Sequence, residues 1–171
     1  MHTKKTVIRA MAFAAFLGLL GAASTTPNFS GEWKMDPNRS NFSPLPAPDS
    51  LVRKISHNGS HLKIATTQWG QQREITTELS YTTDGRPCKN TVSGQEVTGS
   101  ARWDGSQLVV ESTRVVQGMQ IGQREVWSLS EDGQTLTISN RVHTPQGAFD
   151  IRKGQGHQRP EALRESQDKV C

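Results

Sequence analysis

Apolar and polar residues alternate along most of the chain between residues 51 and 152. The segment 74–82, for example, places four apolar or β-branched residues on one face, namely Ile75, Thr77, Leu79 and Tyr81. A period of two is typical of a β-strand that buries one face and exposes the other to water. The pattern therefore predicts an all-β domain.

Turn signals separate these alternating runs at intervals of about 8–12 residues, as in antiparallel sandwiches and barrels. Asn58-Gly59 is a strong two-residue hairpin signal, and Asp-Gly pairs follow at 84–85, 104–105 and 132–133. We predict nine or ten strands, at 29–35, 51–56, 61–68, 74–82, 89–92, 96–103, 107–116, 120–129, 135–142 and 149–152.

The first 24 residues differ from this pattern and match a secretory signal peptide. Lys4, Lys5 and Arg9 form a basic start without any acid, and an uncharged apolar stretch of about 14 residues follows. That stretch is shorter than the roughly 20 residues that a membrane-spanning helix needs. We predict cleavage after Ala23 or Ser24 and export to the periplasm or exterior of a bacterial cell, with an uncleaved anchor as the alternative.

Composition changes once this segment is set aside. Residues 1–24 hold 15 of the AVILMFWYC residues, so the 33% of the whole chain falls to roughly 28% in the remainder. The formal net charge falls from +4 to +1, because three cations are lost and no acid goes with them. Without a basic stripe interleaved with aromatics, this balance argues against a nucleic-acid partner. The low apolar fraction suits strands that bury one face only.

The predicted domain begins with Asn28-Phe-Ser-Gly-Glu-Trp-Lys-Met-Asp-Pro, which contains a Gly-x-Trp motif at Gly31 and Trp33. From there to Pro145-Gln-Gly, about residues 28–151, the chain resembles small exported bacterial lipocalin-like proteins of unassigned function, of the calycin type shared with fatty-acid-binding proteins. The resemblance implies a single antiparallel meander barrel of about eight to ten strands over residues 25–152. In such barrels the glycine permits a sharp strand bend, and the tryptophan closes one barrel end. Direct ligand contact by Trp33 is the alternative.

Residues 37–50 form the main departure from fatty-acid-binding barrels. Those proteins have a helical lid between the first two strands, whereas this interval holds four prolines and no helical periodicity. We therefore expect an extended loop and a barrel without a helical lid.

Trp69, Trp103 and Tyr81 are candidate ligand-binding aromatics. An aromatic residue in a small barrel usually packs inside it, which is the alternative for all three. Trp69 lies beside Gly70 at a predicted strand end. We therefore expect Trp69 at the mouth of a cavity or in a surface contact.

Arg114 is the candidate ligand anchor. It shares its strand face with Leu108 and Val110, so its side chain is predicted to point inward, with an exposed strand position as the alternative. A guanidinium directed into a barrel can hold an anionic head group by paired hydrogen bonds.

Cys88 and Cys171 are the only cysteines of the chain. Export permits a disulfide between them, and two free thiols or an intermolecular bond are the alternatives. Residues 153–171 are polar, with a Gly-rich start and a charged end, and we interpret them as a disordered tail.

The sequence carries none of the common catalytic motifs, such as Gly-x-Ser-x-Gly, a phosphate-binding glycine loop or His-Glu-x-x-His. His57 and His61 flank a turn, but two histidines without a third ligand make a poor metal site. We therefore predict a non-enzyme without cofactor, metal or membrane span after signal removal, and a monomer. It binds or carries a small, partly apolar molecule inside the barrel. The alternative is a structural or interaction module of the cell envelope whose interior is filled.

Overall fold

The computed structural model describes residues 26–158, which form ten antiparallel strands in one sheet. The strands are β1 (Gly31–Met35), β2 (Ser50–Asn58), β3 (His61–Gly70), β4 (Arg73–Thr82), β5 (Cys88–Val92), β6 (Gln95–Asp104), β7 (Gln107–Val116), β8 (Met119–Leu129), β9 (Thr135–Thr144) and β10 (Gly147–Gln158). A single 3-10 turn, Pro37–Arg39, lies in the loop after β1. The predicted all-β meander without a helical lid is confirmed. No helix within the described range is long and apolar enough to cross a membrane.

The sheet curls into a nearly closed barrel. Its order is β4-β3-β2-β1-β10-β9-β8-β7-β6-β5, so that β1 pairs with β10 and only β4 and β5 remain as edges. The Asn90 side chain joins these edges. Its Oδ1 accepts from the Ser80 backbone N–H at 2.7 Å, and its Nδ2 donates to the Ser80 carbonyl at 3.1 Å. The Asn90 amide thus links the two edge strands, where the other neighbouring strands are joined by backbone hydrogen bonds.

The last strand is longer than the sequence pattern predicted. We expected it to end at Arg152, but β10 continues to Gln158, so residues 153–158 belong to the barrel and not to a tail. Lys153 and Gln155 extend the inward face of Ile151, but they do so with polar side chains that hide the alternation. The predicted signal segment, residues 159–171 and the Cys171 partner of the predicted disulfide lie outside the described residues.

A plug of aromatic side chains closes one end of the barrel. Trp33 is 1% exposed, donates its indole Nε1–H to the Phe29 carbonyl at 2.9 Å, and meets the His157 ring edge-on at 4.9 Å between centroids. Gly31 has a φ of +142°, a backbone conformation that other residues rarely adopt. A Cβ at this position would also lie only 2.5 Å from His157 Nε2, so a larger residue would clash. The structure thus places the Gly-x-Trp pair in the packing of this end.

His57 belongs to the same plug. Its ring lies 6.2 Å from that of Phe29 and 5.7 Å from that of Trp103, between centroids. Burial lowers the pKa of His57 below its ordinary 6.5, opposed only in part by the Gly59 backbone. His61, across the hairpin, is exposed, so the two histidines face different sides of the sheet.

The buried imidazole gives the barrel a predicted acid sensitivity. Because the folded state resists protonation of His57, the unfolded state binds more protons below about pH 6.5. The contribution of His57 to the free energy of unfolding is therefore fully present above that pH and is lost as the pH drops toward 5. Urea unfolding between pH 8 and pH 5 checks this. His57→Gln should flatten the fall and His61→Gln should leave it intact; an equal slope in all three proteins contradicts the prediction.

Candidate functional site

The open half of the barrel holds a cavity of about 220 Å³. One part of its wall is aliphatic and aromatic, and includes Leu51, Ile64, Leu79, Val97, Val110, Ile121 and Trp127. The other part is polar or charged, and includes Arg53, Thr66, Gln68, Thr77, Tyr81, Ser112, Arg114, Gln123, Glu125 and Lys153. The wall therefore offers apolar surface and ionic groups to the same enclosed space.

A buried ionic cluster of Arg53, Glu125 and Lys153 forms the inner limit of this cavity. Glu125 Oε1 accepts from Lys153 Nζ at 2.9 Å, and Glu125 Oε2 accepts from Arg53 Nη1 at 3.4 Å. Trp127 Nε1 donates to the same Oε2 at 2.9 Å, and the Arg53 guanidinium lies 5.2 Å from the centroid of the Trp127 ring. The three ionic side chains are only 7–13% exposed.

The cluster keeps its carboxylate ionised. Burial alone raises the pKa of Glu125, but the adjacent Lys153 and Arg53 charges outweigh burial and hold that pKa well below its usual range. Burial also lowers the pKa of Lys153, and the Glu125 carboxylate opposes that shift. Lys153 and Glu125 thus each favour the charged form of the other across their 2.9 Å contact.

The cluster holds more basic groups than acidic ones. Glu125 is a single carboxylate shared by two basic side chains, Arg53 and Lys153. Arg53 Nε is buried without a hydrogen-bond partner among the described residues, and so is the hydroxyl of Tyr81. Burial, chiefly, raises the pKa of Tyr81 well above its usual range, so this hydroxyl is a neutral donor. Unpartnered buried donors are costly, and an anionic acceptor could pair with both of these.

Strand alternation and one glycine bring these groups together. Arg53 lies on the inward face of β2 between Leu51 and Ile55, all three of which are buried. Tyr81 comes from β4, which reaches β6 across the nearly closed edge. A Cβ at Gly99 of β6 would lie 3.0 Å from the Tyr81 ring and would also clash with the Glu111 carbonyl. Glycine at that position therefore lets the Tyr81 ring sit flat against β6.

The structure divides the predicted ligand-binding residues into two pairs. Arg114 and Tyr81 line the cavity, Arg114 as an exposed residue near its mouth. Trp103 packs in the plug instead, stacked on Phe29 at 5.9 Å between ring centroids. Trp69 is 44% exposed at the open end of β3 and lies outside the cavity wall. The ligand roles of these residues remain predictions, and the geometry favours the first pair.

The ionic cluster was not predicted from the sequence, although part of its signal is visible there. Glu125 falls on the same face as Ile121 and Trp127, which marks it as inward-facing. Arg53 alternates in the same way with its apolar neighbours on β2. Lys153 was not predicted to face the interior, because residues 153–171 were interpreted as a tail. The sequence pattern does not predict that β2, β8 and β10 place these three residues at the same level of the barrel.

Comparisons with known proteins agree on the fold. No protein-family model and no curated protein matches the sequence. Among solved structures, a secretory abundant heat soluble protein from Ramazzottius varieornatus has a TM-score of 0.58 at 14% identity, covering 79% of this chain and 98% of that one. A mutant of the fluorescent protein UnaG has a TM-score of 0.52 at 14% identity, covering 77% and 97%. The molecule therefore has the nearly closed, ten-stranded barrel of the lipocalin-like, calycin type.

Proposed function

We propose that this protein is an exported, monomeric binding protein that holds a small amphipathic anion inside its barrel and performs no catalysis. The observation that carries the proposal is the buried Arg53–Glu125–Lys153 layer, in which two basic side chains share one carboxylate, next to the aliphatic part of the cavity wall. A negatively charged head group accepts hydrogen bonds from Arg53 Nε and the Tyr81 hydroxyl, while the apolar part of the ligand packs against the aliphatic wall. Arg114 adds a second cation nearer the mouth. Export rests on the N-terminal signal pattern alone.

Three probes of equal chain length test this preference: octanoate, 1-octanol and octylammonium. We expect octanoate to bind with one-to-one stoichiometry, and 1-octanol to bind about 10- to 100-fold more weakly. A hydrogen bond to a charged group contributes about 1.5–3 kcal/mol, and each 1.4 kcal/mol is a factor of ten. Octylammonium should bind weakest, because it brings a cation into a cavity lined by Arg53 and Arg114. Calorimetric titration and quenching of tryptophan fluorescence give the constants.

A pair of variants ties the preference to the cluster. Arg53→Met leaves a neutral Glu125–Lys153 pair, so the barrel is expected to fold and to lose most of the difference between octanoate and 1-octanol. Arg141→Met is the matched control, since Arg141 is exposed and pairs with Asp150 outside the cavity at 3.2 Å. Equal binding of octanoate and 1-octanol by the wild-type protein contradicts the anion preference.

The filled-barrel module remains the second candidate function. The observation that favours it is the cavity volume, which at about 220 Å³ lies below the ~300–1,000 Å³ typical of sites for drug-sized ligands. Absence of saturable binding by all three probes would support this candidate and overturn the binding proposal.

A further inference from the structure

A second apolar space lies directly outside the cavity. The Pro-rich loop between β1 and β2 surrounds a solvent-open groove of about 500 Å³. Its wall is largely apolar and includes Met35, Pro37, Phe42, Pro44, Leu45, Ala47 and Pro48. Leu45 is 47% exposed there, so its apolar surface is accessible from the groove. The groove is therefore apolar surface next to the mouth of the barrel.

Phe42 is the one wall residue that the groove and the interior cavity share. Its side chain is half-buried, so it separates the two spaces as a single aromatic partition. The interior cavity alone is smaller than a typical ligand site, whereas the two volumes together fall within the ~300–1,000 Å³ range.

The loop is fastened at both ends and loosely held between them. At its start, Asp36 N–H donates to the Gly154 carbonyl at 2.9 Å, and Asn41 and Arg152 exchange two backbone hydrogen bonds at 2.7 and 2.9 Å. At its end, Asp49 N–H donates to the Trp69 carbonyl at 2.9 Å.

Between these points, the hydrogen bonds of the backbone of residues 42–48 to other described residues are local. Leu45 N–H donates to the Phe42 carbonyl at 2.8 Å, and Ser43 N–H donates to Asn41 Oδ1 at 3.0 Å. Three prolines stiffen this stretch by fixing φ. Among the described residues, the backbone of 42–48 therefore makes no hydrogen bond to the sheet, although Pro48 is buried.

We propose that Phe42 is the specificity-determining partition of one continuous binding space, and that the preferred ligand is an elongated amphipath. The head group of the ligand lies at the Arg53 layer, and its apolar chain passes Phe42 into the groove and packs on Leu45 and the prolines. This inference rests on the proposed binding function. It makes the length of the ligand a second determinant of specificity, besides the charge of the head group.

Two carboxylate probes of different length, hexanoate and dodecanoate, test the inference on the full chain. Burial of one methylene contributes about 0.8 kcal/mol, or roughly fourfold in affinity. We expect dodecanoate to bind the wild-type protein at least 100-fold more tightly than hexanoate, because the added chain finds apolar surface beyond Phe42. Phe42→Trp, which thickens the partition, should reduce dodecanoate affinity at least tenfold and change hexanoate affinity less than threefold.

Leu45→Ala provides an independent variant, since Leu45 lines the groove and not the cavity. We expect it to weaken dodecanoate about three- to tenfold and to leave hexanoate unchanged. Val115→Ala, 55% exposed at the same barrel end but on neither wall, is the control and should change neither. If both probes bind the wild-type protein and neither Phe42→Trp nor Leu45→Ala changes their ratio, only this inference is overturned. If neither probe binds, the proposed function falls with it.

Discussion

Glu125→Gln is expected to lower the free energy of unfolding by about 3–5 kcal/mol at pH 7, because removal of one partner from a buried ionic cluster leaves the others without compensation. Here two buried cations, Arg53 and Lys153, lose the only carboxylate that they share. Urea unfolding followed by tryptophan fluorescence measures the change. The matched control is Glu111→Gln, since Glu111 pairs with Arg102 and Arg124 on the surface and should cost at most about 1 kcal/mol.

The same carboxylate predicts a pH dependence with a definite sign. The pKa of Glu125 is lower in the folded state than its ordinary 4.5, so the stability that it contributes is fully present above about pH 4.5. That contribution is lost as the pH falls toward the folded pKa. Glu125→Gln should therefore lose stability less steeply below pH 4.5 than the wild-type protein does.

A third variant separates charge balance from packing. The combined change Arg53→Met, Glu125→Met and Lys153→Met removes the whole cluster and should recover most of the stability, since well-packed apolar residues often replace buried ion pairs at no cost. A loss below 1 kcal/mol for Glu125→Gln would contradict the description of Arg53, Glu125 and Lys153 as a buried ionic cluster.

The second large effect is expected at the closed end, where Trp33→Ala should cost about 3–5 kcal/mol. Trp33 is fully buried, and truncation would leave a void beneath Phe29 and His157 and remove the donor to the Phe29 carbonyl. Trp33→Phe should cost less stability, because phenylalanine keeps most of the ring volume. The remaining cost comes mainly from the lost hydrogen bond to the Phe29 carbonyl.

Trp69→Ala is the matched control for this prediction, with the same chemical truncation at a site that is 44% exposed. We expect a cost below about 1 kcal/mol, as for most surface substitutions. Similar costs for Trp33→Ala and Trp69→Ala, measured by urea unfolding, would contradict the assignment of Trp33 to the barrel plug.

The sequence was informative about strands because local patterns determine them. Period-two alternation and the Asp-Gly turns predicted nine or ten strands, and β7 begins and ends at the residues expected, Gln107 and Val116. The exception is β10, where Lys153 and Gln155 looked like part of a tail although they lie on the inward face of the strand. Inward-facing polar residues remove the apolar alternation from the sequence but do not end the strand. A strand that lines a polar interior is therefore hard to recognise from the sequence.

The candidate site was predictable only in part, because it depends on contacts between strands far apart in sequence. Parity alone directed Arg114 and Tyr81 to the interior, and both line the cavity. The approach of Arg53 to Glu125 needs β2 and β8 to face each other across the barrel, which no local pattern specifies. The partition by Phe42 is likewise invisible in the sequence, where residues 37–50 show only a Pro-rich loop.

The central claim is that the barrel interior binds an amphipathic anion at the Arg53 layer, and a residue-resolved NMR titration tests it most directly. The ¹⁵N-labelled protein is titrated with octanoate, and both backbone amides and the Arg53 Nε–H and Trp127 indole signals are followed. The account predicts saturable shifts concentrated at Arg53, Tyr81, Glu125 and Trp127, with the exposed Arg141–Asp150 pair unaffected. Shifts that fail to saturate, or that spread over the outer face of the sheet and leave Arg53 unmoved, would contradict it.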